Sequence, residues 1–585
     1  MENSLLILAQ SDQIIGWLTP VWVVSLGISF GLILAYLVKA IIYLLTLIPG
    51  LNSLNDKPNT RIPSAIFMSV LVMSGITAIW LSMSRPNEQT SASDWTLLIL
   101  LGSLVSISIG FGLIAIVSRK RFFEVLQQPA GNFTSWLTRI GLGFVSFALL
   151  GILLAVFDGF GTILIVEKPF EMFNSLGRLS QTGSVELYGI VIQPHETKEI
   201  DTDFFGQELK LISFRGDQDA IMATRPPDGL NIEDYFEINR GDQFTNYFRE
   251  VGDSRIPGER IRKLFVKNES DQVATIDLRW STDVEHPQMV YALWIGLSVL
   301  GVFLSYWMFC AACPKISAIA ISTFKTEITQ PIFALIILIG SVFAVVSIYI
   351  PYYTFGEDIK MYKMSALPLI RILGIFMAIW AAGKSVAEEI EGRTALTVLS
   401  KPVGRRQFIL GKFSGISLAI GLLFIVVGLW FIIWLSYKPI YDARETSVRD
   451  FAWTNGFDEI VKIIPGLVLA YLESVVFVAI SIAISTRLGI LANFMVCFAI
   501  YILGHLTPLI VNSSEAVQAF EPVVVFGQFI SVIVPVLDHY DIEPAIIGEV
   551  FVPSSYIGWA IVYSLIYSTI ALLLSLVLFE DRDLA

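Results

Sequence analysis

The chain is poor in cysteine, histidine and charge. Three cysteines in 585 residues exclude a disulfide-stapled fold, and four histidines supply no metal cluster. Only 15% of the residues are charged, while 55% are hydrophobic; a soluble domain has about 25% and 45–50%. No basic region precedes a short apolar core at the N-terminus, so no cleavable signal peptide is expected. There is no internal repeat and no low-complexity tract. The string nearest to a phosphate-binding loop, Ala378-Ile-Trp-Ala-Ala-Gly-Lys-Ser385, lacks the first glycine and ends an apolar run. A phosphate cradle needs a glycine-rich turn after a strand, with free N–H groups. No nucleotide or other cofactor site is therefore expected in this chain. No Ser/His/Asp set or carboxylate pair points to catalysis, so the chain does not read as an enzyme.

What the chain has instead is apolar runs of bilayer length. They fall at about 19–41, 63–84, 95–117, 135–157, 289–310, 331–352, 364–385, 408–436, 461–485, 489–511 and 556–578. The first continues to Pro49, which requires a tilt or a bend onto the interface. Val523–Leu537 is also apolar, but Gly527 and Pro535 interrupt it, and it reads as a re-entrant or interfacial element. The expected fold class is mainly α: a polytopic transmembrane helical bundle of about eleven spans with an extracytosolic β-sandwich-like insertion. Four regions follow: an N-terminal four-helix region (1–160), a β-rich domain (161–288), a linking span with an amphipathic helix (289–330) and a six-helix core (331–585).

The insertion holds most of the chain's negative charge. Glu167–Glu285 carries 23 acidic and 14 basic side chains, or −9 of the total −12, which argues against a nucleic-acid partner. Runs at Val185–Ile192, Leu209–Phe214, Ala220–Thr224, Lys263–Lys267 and Gln272–Trp280 read as antiparallel strands, separated by turn signals such as Arg225-Pro-Pro-Asp-Gly229.

Lys and Arg set the orientation. With the loop after the seventh run placed in the cytosol, cytosolic loops hold thirteen Lys and Arg and outer loops hold six, among them Lys360, Lys363 and Lys438. The loop Val511–Ser555 has none. The N-terminus is expected outside and the C-terminus in the cytosol, in a plasma membrane of bacterial inner-membrane type.

That cytosolic loop is unusual. Ala387–Leu410 places Glu388, Glu389 and Glu391 first, then Arg393, Thr394 and an apolar stripe with Leu396 and Leu399. A break at Lys401-Pro402 follows, then Arg405 and Arg406. This reads as a short charged helical hairpin on the membrane surface, suited to docking. The string resembles the coupling-helix region of the type-2 ABC-exporter permeases at Glu388, Glu389, Thr394, Leu399, Ser400, Lys401, Pro402 and Arg405. Three further stretches are similar to that family. Pro314–Gln330, with Ile316, Ile319, Ile321 and Phe324 apolar and Lys325 and Glu327 polar, looks like its elbow helix. Val534–Tyr540 looks like its outer segment, and Phe579–Leu584 like its C-terminal signature. The resemblance covers about Ile316–Leu584 and leaves the N-terminal spans and the insertion unexplained.

The resemblance implies a permease subunit of an ATP-driven exporter. A separate cytosolic ABC ATPase, carrying ATP and Mg, would dock on Glu388–Arg406. A second permease copy or a paralogue would complete the pore among membrane lipids, and the insertion offers a surface for an extracytosolic partner. Glu473 sits near the middle of a span, where a charge costs about 2.5–3.5 kcal/mol unless paired or neutral. It is an intramembrane polar candidate with His505 in the next span: either a hydrogen-bonding group within the bundle or a substrate or proton site, the first being favoured. Cys310 and Cys313 cannot alone complete a zinc site and read as small apolar residues. Two other classes stay open: an ion-coupled secondary transporter using Glu473, and a non-transport membrane scaffold displaying the insertion.

Overall fold

A computed structural model describes residues 17–46, 133–156, 183–226, 235–241, 244–248, 260–284, 286–350, 357–391, 404–446, 453–516 and 534–580 except 549 and 551, with single residues at 172, 173, 175, 178, 255 and 256. The chain divides into two compact units: residues 151–161 with 166–294, and the remainder.

The first unit contains two four-stranded antiparallel sheets. β1 (Ser184–Ile192), β8 (Ala274–Thr282), β3 (Leu209–Gly216) and β6 (Thr245–Phe248) form one. β2 (Thr197–Phe205), β7 (Arg260–Asn268), β4 (Ala220–Ala223) and β5 (Phe236–Ile238) form the other. One buried cluster draws from both, with Ile192, Ile212, Phe214 and Leu278 from the first sheet and Ile200, Met222, Phe236 and Val266 from the second. The five strands expected from sequence are present. β2, β5 and β6 are additional. β2 reads as a charged loop because Lys198, Glu199, Asp201 and Asp203 alternate outward, while Ile200, Thr202 and Phe204 alternate inward. Gly189 takes φ +67° at a bulge in β1, and its N–H donates to Asp277 at 2.8 Å. Burial raises the Asp277 carboxyl, but that amide and Arg215 outweigh it and hold the pKa below the usual carboxylate value.

The second unit is helical, with residues 151–156 of α2 and 289–294 of α3 falling in the first: α1 (Thr19–Thr46), α2 (Phe133–Val156), α3 (Met289–Ala312), α4 (Pro314–Ile328), α5 (Pro331–Val346), α6 (Asp358–Ala382), α7 (Arg405–Thr446), α8 (Trp453–Ser485), α9 (Ile490–Ala516), α10 (Glu543–Ile547) and α11 (Ser554–Glu580). Among the described residues seven helices are long and apolar enough to cross a membrane: α1, α2, α3, α6, α7, α8 and α11. Of the other expected spans, 63–84 and 95–117 lie outside the described residues, as does most of Val523–Leu537. α9 contains a shorter apolar helix. The expected span at 331–352 is α5, which joins α4 at a 62° bend. Pro314 and Pro331 start these two helices, where a missing N–H costs nothing.

α6, α7 and α8 pack on one another, with α11 against α7 and α8 and α4 against α7. The face α4 buries differs from the expected isoleucine stripe. Ser317, Ala320, Thr323, Phe324 and Glu327 are buried, whereas Ile316, Ile319 and Ile321 are half-buried. The reason lies on α7. A Cβ added to Gly411 would sit 2.6 Å from Ile319 Cβ, and one on Gly415 would sit 2.6 Å from the Ala320 carbonyl. Two glycines four apart let the helices touch backbone to backbone, the small-residue packing of membrane helices.

Two expected outer-loop lysines are not loop residues. Lys363 on α6, 1% exposed, pairs with Glu459 on α8. Lys438 on α7, fully buried, reaches the Ile348 carbonyl at 3.2 Å and Asp358 at 3.7 Å. Buried, paired ammonium groups belong to the bundle and carry no weight as loop charges.

Candidate functional site

The expected docking segment begins where α6 changes form. After Ala382 the helix continues as a π-turn, Gly383–Glu388, and a final turn, Glu389–Glu391. Such bulges let one helix carry an extra residue per turn, often at functional positions. Here the bulge is packed in: Ser385, Val386 and Ala387 are buried, and Glu388 is the first exposed residue. Glu389 turns inward and pairs with Lys412 on α7, whose ammonium also lies 3.0 Å from the Ser385 hydroxyl.

Arg405 holds the other mouth of the segment. Its Nη1 donates to the Phe579 and Glu580 carbonyls at 3.2 and 2.6 Å, and its guanidinium lies 5.6 Å from the Phe579 ring centre. These carbonyls end α11 and have no partner within the helix, so the arginine caps it. Phe408 stacks on Phe579 at 5.9 Å. Arg406 is exposed. The acidic and basic ends of the segment thus each divide: Glu388 and Arg406 are exposed, while Glu389 and Arg405 bind the bundle. Arg393, Thr394, Leu396, Leu399, Lys401 and Pro402 lie outside the described residues, and the Glu391 side chain is likewise not described.

Sequence reasoning missed Lys412, since one lysine inside a long apolar run carries no pattern. It also read Glu327 only as a polar residue of α4, with no partner named. Glu327 is 1% exposed and accepts from Gln330 Nε2 at 2.8 Å; Gln330 Oε1 in turn accepts from Trp380 Nε1 on α6 at 3.3 Å. A hydrogen-bonded chain therefore runs from the α4–α5 bend to α6.

A second charged cluster lies deeper. Glu473 on α8 is fully buried, and His505 on α9 brings Nε2 to 3.8 Å from its Oε1. The two residues named from sequence are thus together. Neither Glu473 oxygen has a hydrogen-bond partner among the described residues. The residue that sequence reading overlooked is Arg371 on α6, 6% exposed. It interacts electrostatically with Glu473 and pairs with Glu543 at 2.9 Å and Asp541 at 3.6 Å on the outer segment around α10. Helix contact explains the convergence. A Cβ on Gly374 would meet Ser474 Oγ at 2.8 Å, so α6 and α8 cross closely beside Arg371 and Glu473. Pro368 and Pro465 sit inside these two helices, each removing one backbone donor near the crossing. Burial pushes the Glu543 carboxyl up to about 7, against the pull of Arg371 and with the repulsion of Asp541.

A family model described as ABC-2 family transporter protein matches residues 200–584. The chain belongs to the ABC-2 transporter family. It is the permease component of an ABC transporter and not itself a catalyst. No curated protein matches the chain significantly. The match begins inside β2, so part of the insertion falls within the permease family's own reach. No group of His, Cys, Asp or Glu suited to a metal ion occurs among the permease's described residues.

Proposed function

We propose that this permease is the membrane-spanning half of an ATP-driven exporter, energised by a separate cytosolic ATPase that docks on residues 388–406. One observation carries the reading. Both mouths of the segment are tied inward, by Glu389–Lys412 to α7 and by Arg405 to the end of α11, while Glu388 and Arg406 are exposed. A push on the segment would then move α6, α7 and α11 as one body. In this reading ATP and Mg stay on the ATPase and a second permease copy or paralogue completes the path. The chain crosses the plasma membrane eleven times, N-terminus outside and C-terminus in the cytosol, and the two sheets form a sandwich offered to an extracytosolic partner. The buried carboxylate of Glu473 is the one feature that favours an ion-coupled transporter instead.

The test reverses the exposed charges. Glu388→Arg combined with Arg406→Glu should abolish co-purification of the ATPase while leaving permease abundance in the membrane unchanged. Undiminished co-purification sinks the docking assignment.

A further inference from the structure

His505 and Glu473 meet as two acceptors. His505 Nδ1 lies 3.2 Å from the Tyr501 carbonyl oxygen. A carbonyl only accepts, so this contact assigns the ring hydrogen to Nδ1 and leaves Nε2 a bare lone pair in neutral imidazole. Nε2 is the atom that faces Glu473 Oε1 at 3.8 Å. Neither Glu473 oxygen, nor His505 Nε2, has a hydrogen-bond partner among the described residues. A carboxylate opposite an unprotonated ring nitrogen, out of water, is unfavourable on both sides; one proton on either atom turns the pair attractive.

The surroundings fix the class of ligand. Asp541 and Glu543 pair with Arg371, which interacts electrostatically with Glu473, and Tyr501, Asp538 and Tyr540 each interact electrostatically with Glu473 or His505. Carboxylates outnumber the guanidinium, so the ligand is a cation. No residue group suited to a metal ion is present among the described residues. The cleft beside Arg371 and Glu543, between Leu367, Gly466, Ala470 and Tyr540, has room for about one water-sized molecule, too little for an organic cation.

We propose that Glu473 and His505 together bind one proton, and that this proton leaves Arg371 to hold the outer segment. With the proton gone, the Glu473 carboxylate competes for Arg371, whose Nε and Nη1 have no hydrogen-bond partner among the described residues, and the contacts to Glu543 and Asp541 weaken.

The experiment reads undocking of the outer segment. Ile546 is 1% exposed and packs beside Gly466, whereas Val550 is 63% exposed. With the three native cysteines replaced by alanine, Ile546→Cys in purified permease in nanodiscs is labelled with a maleimide across neutral pH, relative to Val550→Cys. The ratio should rise with pH, by no more than about tenfold per pH unit for one proton. Glu473→Gln should hold it low and flat, and Arg371→Gln should hold it high. A flat ratio in the parent overturns the proposal. So does a ratio that falls with pH, which would report Glu543 strengthening its own claim, or a rise that persists in Glu473→Gln. Infrared difference spectra of the chain with native cysteines guard against disturbance by the label site. Among the carbonyl stretches of protonated carboxyls, one should be lost in Glu473→Gln and kept in Glu543→Gln; spectra in which Glu473→Gln removes no such band also overturn the proposal. Neither nucleotide nor ATPase is present, so the outcome is independent of the docking reading.

Discussion

Lys412 on α7 and Glu389 at the end of α6 form an ion pair across the base of the docking segment, and Ser385 in the π-turn receives the same ammonium at 3.0 Å. The lysine side chain is 8% exposed and the glutamate 32%. Removing one partner of a buried pair leaves the other charge poorly solvated, while the pair as a whole contributes much less. Lys412→Met should therefore lower stability by about 1–3 kcal/mol, discounted for the partly exposed glutamate. Adding Glu389→Gln should recover a large part of that loss. Thermal unfolding of the purified permease across the four-member cycle measures this; strictly additive losses would mean that the two residues do not act as a pair.

The glycine seam between α4 and α7 sets a steric limit. Gly415→Ala would drive a methyl to 2.6 Å from the Ala320 carbonyl. Overpacking of this kind costs about 1–3 kcal/mol. Gly421 is the control, because its nearest neighbour would be Tyr471 Cε2 at 3.5 Å, an ordinary contact. Gly415→Ala should reduce the unfolding temperature and membrane abundance, and Gly421→Ala should leave both near the parent. Equal behaviour of the two variants counts against close packing at this seam.

Asp277 makes the β unit acid-sensitive. Its folded pKa lies below the ordinary value, held there by the Gly189 amide and Arg215 against the effect of burial. Such a group contributes stability above its unfolded pKa of about 3.9 and loses it as pH falls through the lower folded value. Asp277→Asn should cost about 1–2 kcal/mol near neutral pH, where the carboxylate is charged. The difference should disappear once both forms are protonated. Chemical denaturation followed by near-ultraviolet circular dichroism at neutral and strongly acid pH makes the comparison; a cost that stays constant with pH would show that the charge of Asp277 contributes nothing.

Topology is open to direct labelling. Val273, 45% exposed, lies in the β unit, and Arg406 is exposed at the docking segment. In intact cells an impermeant maleimide should label Val273→Cys and spare Arg406→Cys, with the second becoming reactive once the membrane is opened. The reverse pattern would refute the orientation drawn from the loop lysines and arginines.

The elements legible in sequence were those with a strong local signal. Apolar length marks α1, α2, α3, α6, α7, α8 and α11, because a bilayer selects for run length alone. β1 and β8 were readable for a similar local reason: Val185–Ile192 is rich in β-branched residues, and Thr275–Trp280 alternates polar and apolar side chains. β2 was not, because its three inward residues are spaced among four charges.

Sequence by itself determined that the chain is a polytopic membrane protein with a polar insertion, and it singled out Glu388–Arg406 and Glu473 from charge placed where charge is costly or unusual. Tertiary structure decided what those charges do. It turned Glu389 and Arg405 inward to Lys412 and the end of α11, left Glu388 and Arg406 outside, and set Arg371 between Glu473 and the outer carboxylates. The partners in these contacts lie between 23 and 175 positions apart in the chain. Local sequence records the cost of burying a charge, but only the crossing of α6, α7, α8 and α11 brings its counter-charge within reach.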